Sequence, residues 1–310
     1  MTASPRALSF NLAAAQYAAS RPSYPPALFD FIEEVTSRPL AGARVADIGA
    51  GTGIATFLLR QRGAEVIAVE PGDAMASQFH SLLPDVPIVR GDGNALPLAD
   101  ASHELITFAQ SWQWTDTSRS VPEALRVLSP NGALAIWWNT TAFDVPWIRE
   151  QHERIARHCA VEPSAGVRPD DSDAIRLAGL SGLRVARRLL RWSRMIPLDT
   201  HLANITSRSA FLVLPEDSNR TFRSAERRRL REIFPDEAVQ ETYVVDLLVA
   251  IRPRRAKRPG IPSARFHPAS SKPHDACQSA PISIRLDKQV AAPLVGRISR
   301  PEDLPPPARS

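Results

Sequence analysis

Three acidic residues and a set of alternating glycines carry the chemistry that this sequence can support. Asp47 and Gly49, Gly51 and Gly53 stand together in Val45-Ala-Asp-Ile-Gly-Ala-Gly-Thr-Gly-Ile-Ala55. Glu70 closes the apolar run Val66-Ile-Ala-Val-Glu70, and Asp92 lies in Gly91-Asp-Gly-Asn-Ala-Leu-Pro97. Alternating glycines let a backbone turn tightly and approach a ligand closely. A helix starting behind them presents free N–H groups to an anionic part of that ligand. An acid ending the next strand, about 20 residues on, is placed to accept both hydroxyls of a ribose. Asp92 could accept from the amino group of an adenine, with the neighbouring backbone reading the ring edge.

The spacing separates the nucleotide classes. A dinucleotide loop needs G-x-G-x-x-G. Counted from Gly49, this loop has Gly51 but Ile54 where the third glycine belongs. Asp47 would also repel a pyrophosphate. It suits a ligand with a cationic ammonium group, such as the methionine part of S-adenosylmethionine. A second reading keeps Asp47 as a strand-end carboxylate that caps the loop's N–H groups. A P-loop is excluded because no Gly-Lys-Ser/Thr follows.

The elements around these residues repeat as strand then helix. Arg44–Ile48, Glu65–Val69, Pro87–Arg90, Glu104–Ala109 and Ala133–Trp138 read as strands. Helical spacing marks 27–35, Ile54–Arg62 with Gly63 as its stop, Asp73–Leu83 with Asp73 as N-cap, and Ser118–Leu128. The pattern predicts an α/β fold: a Rossmann-like doubly wound sheet, mostly parallel, with helices on both faces. Ligands of such sheets bind beyond the carboxyl ends of the strands. Further on, Trp147–Cys159 reads as a helix, 160–182 as a loop or lid, and Leu183–Trp192 as an arginine-rich strand with one solvated face. Residues 199–234 read as one or two helices, and Thr242–Ile251 as an antiparallel last strand.

Composition narrows the class. The chain of 310 residues is 44% hydrophobic and 23% charged, an ordinary globular balance. Its two cysteines, Cys159 and Cys277, exclude a disulfide scaffold and a four-thiolate zinc site, and fit a reducing, cytoplasmic setting. The longest uninterrupted apolar run, Ala133–Trp138, is too short to span a membrane. The alanine-rich stretch after Arg6 is broken by Asn11 and Gln16, so it reads as a capping helix rather than a signal peptide. The net charge of +5 is unevenly placed: residues 251–310 hold 12 Lys+Arg against 4 Asp+Glu, whereas the first 250 hold 26 against 29. The basic, proline-bearing end reads as a disordered tail. The mildly acidic body disfavours a nucleic-acid substrate, which needs a positive surface.

The order D-x-G-x-G-x-G, V-E-P and G-D-x-x-x-L-P resembles the class I S-adenosylmethionine-dependent methyltransferases, in particular the type 11 methyltransferase domain. Tyr17-x-x-x-Arg21-Pro-Ser-Tyr24-Pro, Phe108-Ala-Gln-Ser-Trp-Gln-Trp-Thr-Asp116 and Ser207-Arg-Ser-Ala-Phe-Leu-Val-Leu-Pro215 resemble segments of a branch that includes relatives of trans-aconitate methyltransferase. Where that branch carries His-Trp, this chain carries Gln113-Trp114. The resemblance covers roughly residues 8–252. It implies S-adenosyl-L-methionine as cofactor. Asp47, Gly49, Gly51 and Gly53 would cradle its methionine and ribose, Glu70 its ribose hydroxyls, and Asp92 and Gly93 its adenine. Ala109 and Gln110 would border the sulfonium. Tyr17 and Arg21 would close over the cofactor, with Arg21 free to meet a carboxylate.

Methyl transfer chiefly needs alignment, so no catalytic diad is required, and none is evident. Trp112 is the candidate for the acceptor pocket; Trp114 reads as structural. His152-Glu153 lacks the second histidine of a zinc helix, so no metal is expected. No Asn/Asp-Pro-Pro-Tyr follows the fourth strand and no Pro-Cys occurs, which argues against DNA-base acceptors. The expectation is a methyltransferase acting on a small molecule, as monomer or homodimer. Residues 1–40 would form a leader closing the site, 41–252 the catalytic domain, and 253–310 the tail. Alternatives are a cofactor-binding protein without turnover, a nicotinamide oxidoreductase, and a nucleic-acid methyltransferase docked by the tail.

Overall fold

The computed structural model describes residues 21–161 and 178–251, apart from the side chain of Ser209. The chain divides into units Met1–Ala256 and Lys257–Ser310, and every described residue belongs to the first. Tyr17, most of the expected lid and the tail lie outside the described residues.

A seven-stranded sheet organises this unit. In chain order its elements are α1 (Pro26–Thr36), β1 (Arg44–Ile48), α2 (Ile54–Gln61), β2 (Glu65–Glu70), α3 (Asp73–Leu82) and β3 (Ile88–Arg90). There follow β4 (His103–Ala109), a 3₁₀ turn at Trp112–Trp114, α4 (Thr117–Val127), β5 (Leu128–Thr141) and α5 (Pro146–Cys159). The last are β6 (Arg184–Pro197), α6 (Leu198–Thr206), α7 (Ser209–Leu212), α8 (Glu216–Ile233) and β7 (Ala238–Ile251). The sheet order is β3-β2-β1-β4-β5-β7-β6. The first five strands are parallel, and β7 runs antiparallel to both β5 and β6. This is the Rossmann-like, doubly wound arrangement expected, with the antiparallel last strand inserted between β5 and β6.

Strand alternation explains why both faces are covered. Val45, Ala133, Ala135 and Trp137 join Leu28, Phe29 and Ile32 of α1 and Leu59 of α2 on one face. Ala46, Ile48, Leu134 and Ile136 meet Ala124 and Val127 of α4 on the other. Successive side chains of a strand point to opposite faces, so a parallel strand buried on both sides reads as one apolar run.

Several boundaries differ from the sequence pattern. Gly72, not Asp73, is the N-cap of α3, and Asp73 occupies its first turn. Residues 199–234 form parts of three helices rather than one or two. Strands β5, β6 and β7 each run 14 residues. They outlast their apolar runs because β7 supplies a ladder partner on both edges, pairing Thr141 with Tyr243 and Pro197 with Ala238. Arg184, Arg188 and Arg191 of β6 are exposed, as a solvated face requires, but most arginines of the strand are also paired with acids. Arg187, Arg188, Arg191 and Arg194 hold Asp246, Glu34, Asp144 and Glu241 respectively. The edge strand thus carries charge, which discourages pairing with another chain.

Candidate active site

The carboxyl ends of β1, β2, β3 and β4 open into a cavity of about 570 Å³. That lies within the size range of small-molecule and cofactor sites. Gly49, Gly51, Glu70, Asp92, Gly93, Ala109 and Gln110 line it, together with Arg21. Seven of the sequence-predicted residues, from Gly49 to Gln110, therefore meet at one cavity although they come from four separate strand ends, whereas Asp47, Gly53 and Trp112 do not line it.

The glycine loop and the second acid are joined directly. The N–H of Gly51 donates to Glu70 Oε2 at 2.9 Å, and the N–H of Gly72 donates to Glu70 Oε1 at 2.7 Å. Each carboxylate oxygen keeps a second lone pair for a hydroxyl. Burial pushes the Glu70 carboxyl up, against these two backbone bonds. Gly51 has φ +58°, and a Cβ built there would meet no atom within 4 Å, so the backbone stands open to the cavity. Gly49 is different: its Cβ would come 2.5 Å from Cβ of Ser111. That serine donates to the carbonyl of Ile48 at 2.6 Å, tying the loop to the tip of β4.

Asp47 and Gly53 sit behind the loop. Asp47 is fully buried and is not part of the cavity wall. Its carboxylate accepts from the hydroxyls of Thr56 at 2.6 Å and Thr107 at 2.8 Å. Burial pushes it up from its ordinary value, and the threonine bonds oppose that. Gly53 has φ +91° and packs on Phe79 and Leu83 of the α3 region. Asp92 folds back on its own turn: Oδ1 accepts from the N–H of Asn94 at 2.6 Å, and Oδ2 makes no hydrogen bond among the described residues.

The tip of β4 is held in an unusual backbone state. Gln110 has φ +60°, and its N–H donates to the carbonyl of Trp137 at 3.0 Å. Gln113 Nε2 donates to the Gln110 carbonyl at 2.7 Å, while its Oε1 accepts from Trp138 Nε1 at 2.8 Å. Gln113 thus bridges β4 and β5 where the resembling branch has histidine.

The two tryptophans exchange roles relative to expectation. Trp112 is 3% exposed, packs edge-on against Phe108, and donates Nε1 to the carbonyl of Ala178 at 3.2 Å. It is a core residue and does not line the cavity, whereas Trp114 does. The helical turn reverses the side chain two residues later, and one residue type at both positions hides that from the sequence. Also missed were Tyr24, Ser111, Arg119 and Arg208 on the wall. Arg208 is one basic residue among 38 and carries no distinguishing pattern. The leader reaches this wall because the Arg194 guanidinium donates to the Arg21 carbonyl at 3.2 Å, and Tyr24 packs edge-on against Trp137. Among the described residues there is no cluster able to hold a metal, and no helix is long and apolar enough to cross a membrane.

Parts of this chain are similar to known proteins. Residues 46–136 match the family described as "Methyltransferase domain". An uncharacterized methyltransferase of Mycobacterium tuberculosis is 41% identical over 159 residues, covering 51% of this chain and 63% of its own. An uncharacterized methyltransferase-like protein of Schizosaccharomyces pombe is 32% identical over 157 residues, covering 50% and 61%. The chain therefore spans less than two thirds of these relatives, 63% and 61% of their lengths. A solved protein of Anaeromyxobacter dehalogenans, provisionally described as a type II methyltransferase, superposes with TM-score 0.55 at 22% identity. That superposition covers 74% of this chain and 97% of the other. At that identity the likeness concerns the fold. The family match falls on the segment that carries the glycine loop, Glu70 and Asp92, and with both relatives it likens part of the chain to a methyltransferase domain.

Proposed function

We propose that the chain is an S-adenosylmethionine-dependent methyltransferase acting on a small molecule. One observation carries this reading: the 2.9 Å bond from Gly51 to Glu70 fuses the open glycine loop and the ribose-type carboxylate into one cavity wall. The fit rests on the cradle itself. At Gly51 a side chain would occupy space that a ligand needs, and Glu70 and Asp92 each keep acceptor capacity facing the cavity.

S-adenosylmethionine, when bound, would supply a methyl carbon on a sulfonium, open to in-line attack by an acceptor lone pair, with the carbon–sulfur electron pair returning to sulfur and S-adenosylhomocysteine as the leaving group. In this assignment Gly49, Gly51, Ala109 and Gln110 border its methionine and sulfonium end. Glu70 receives the ribose hydroxyls, and Asp92 and Gly93 face the adenine. Arg21 would cover the cofactor, and Tyr17, which lies outside the described residues, is assigned beside it from the leader motif alone. Asp47 and Gly53 set the loop's shape from behind rather than touching ligand. Trp114 replaces Trp112 as the aromatic wall of the acceptor side, where cation–π attraction to a sulfonium is available. The chain's main contribution is alignment and exclusion of water, since proximity lowers such barriers without a dedicated base.

The leader motif and the Ser207–Pro215 segment favour membership of the branch resembling trans-aconitate methyltransferase relatives. They also favour an organisation of leader 1–40, catalytic domain 41–252 and tail 253–310. The acidic body and the two cysteines suit a cytoplasmic enzyme with a small-molecule acceptor. Calorimetric titration of the full chain with S-adenosylhomocysteine tests the reading, with Glu70→Ala beside it. Micromolar binding lost in the variant is the expected result. No binding by a chain with an intact thermal transition refutes it.

A further inference from the structure

We propose that Arg208 anchors an oxyanion group of the methyl acceptor, so that the acceptor is a small anionic molecule. The inference rests on the methyltransferase reading and names the substrate class of that same site.

Arg208 follows α6 and is half-buried. It borders the large cavity and also a second one of about 30 Å³, lined by Thr141, Gln151, His201 and Tyr243 among others. The second cavity takes no residue from the glycine loop, β2 or β3. Arg208 therefore lies at the β5/β7 side of the site. Glu70 and Asp92 lie on the opposite side, across the β4 tip at Gln110. If adenosine fills the Glu70–Asp92 side and the methyl points past Gln110, Arg208 faces the acceptor.

Its guanidinium makes no hydrogen bond or ion pair with any described residue. The contrast with other arginines of the fold is sharp: Arg154, Arg187, Arg191 and Arg194 each hold a carboxylate. The nearby acid is Glu241, and it is already saturated. Its Oε1 meets His201 at 2.6 Å and Asn204 at 3.1 Å; its Oε2 meets Arg194 at 2.7 Å and Tyr243 at 2.6 Å. A guanidinium offers five donors in a fixed fork that matches carboxylate, sulfate or phosphate. Left half-buried without a partner, it carries a desolvation cost that a bound oxyanion would offset. Burial, and then the like charge of Arg21, push Arg208 down from its ordinary value, and an anion would relieve both. Arg21 is placed differently, since its Nη2 donates to the Ser207 carbonyl at 3.2 Å and it belongs to the leader. It keeps the place, covering the cofactor, that the reading above gives it.

The test uses the full-length chain and its Arg208→Gln and Arg208→Lys variants, each checked for an unchanged thermal transition. S-adenosylhomocysteine is titrated first. The saturated proteins are then titrated at constant ionic strength with inorganic sulfate, with benzoate, and with benzamide as a neutral isostere. Sulfate and benzoate should bind at least tenfold more tightly than benzamide. Arg208→Gln should weaken both anions by about 10- to 100-fold, the loss expected for one charge-assisted pair. Arg208→Lys should retain part of the binding, and the S-adenosylhomocysteine affinity should stay within twofold. Anions binding no better than benzamide, or equally well to Arg208→Gln, would overturn the proposal. So would a tenfold loss of S-adenosylhomocysteine in Arg208→Gln, which would assign Arg208 to the cofactor instead. Failure of the folded wild type to bind S-adenosylhomocysteine would sink the methyltransferase reading separately. Anion binding that depends on Arg208 would still be measurable in that case.

Discussion

Replacing Asp47 by asparagine and by alanine separates a carboxylate that builds the loop from one that grips a ligand. In the structure both oxygens are taken by threonine hydroxyls, at 2.6 and 2.8 Å, and all three side chains are fully buried. A hydrogen bond to a charged acceptor contributes about 1.5–3 kcal/mol. Asp47→Ala removes two such bonds and strands two buried hydroxyls. It also removes a buried charge, whose cost is visible in the upward push on the Asp47 carboxyl. The balance is a loss of about 2–4 kcal/mol. For a domain of this size that lowers Tm by about 5–15 °C. Asp47→Asn keeps the volume and one acceptor. The amide can donate to Thr56, whose hydroxyl can turn to a carbonyl of its own helix. A loss within about 1 kcal/mol follows.

The pH dependence has a definite sign. The carboxyl is raised above its ordinary 3.8, so the folded state holds the proton more tightly. Its contribution is present at low pH and lost as pH rises through the folded value. The wild type should therefore gain stability relative to Asp47→Asn as pH falls from 7 towards 4. Differential scanning fluorimetry across that range, with calorimetric titration of S-adenosylhomocysteine at pH 7, reads all three outcomes. Asp47→Asn should bind within about threefold of wild type, a difference well under 1 kcal/mol. Binding lost in Asp47→Asn at unchanged Tm would refute the reasoning and put the carboxylate in contact with the ligand's ammonium.

Three further predictions follow from other parts of the fold. Gly51→Ala should cost only the left-handed strain of about 1–2 kcal/mol yet lose at least tenfold in S-adenosylhomocysteine affinity. Gly49→Ala, driven into Ser111, should lose about 2–5 kcal/mol of stability; comparable melts for the two variants would contradict this. Glu241 is raised by burial, but bonds from His201 and Tyr243 and the charge of Arg194 outweigh that and hold it at about 2. Its stabilisation is full above its ordinary 4.5 and lost as pH falls towards about 2. The Tm gap between wild type and Glu241→Gln should shrink over that acid range, and a gap independent of pH would argue otherwise. In the buried pair Arg187–Asp246, with bonds of 2.8 and 3.0 Å, Asp246→Ala should cost about 3–5 kcal/mol in chemical denaturation. The double change Arg187→Met with Asp246→Leu should recover most of it, because no uncompensated charge stays buried.

The sequence by itself determined the strand–helix alternation from 44 to 138 and the cluster of Gly49, Gly51, Glu70, Asp92 and Gln110. Both are local signals: apolar runs fix strands, glycines fix the turn, and each acid sits at a strand end. In a parallel sheet every strand end of one kind faces the same edge, so local order alone predicts that these residues meet. What the tertiary structure decided were choices between equivalent residues. Asp47 and Glu70 are both acids at strand ends, yet Thr56 and Thr107 enclose the first, while the loop opens the second to the cavity. Trp112 and Trp114 differ only in which side of one turn they occupy, and Phe108 and Ala178 claim the first. Arg208 differs from the arginines of β6 only in lacking an acid, which depends on where Glu241 spends its oxygens. Pairing of that kind joins residues dozens of positions apart, and it is set by which strand lies beside which. The insertion of β7 between β5 and β6 made that choice, and no local pattern in the sequence encodes it.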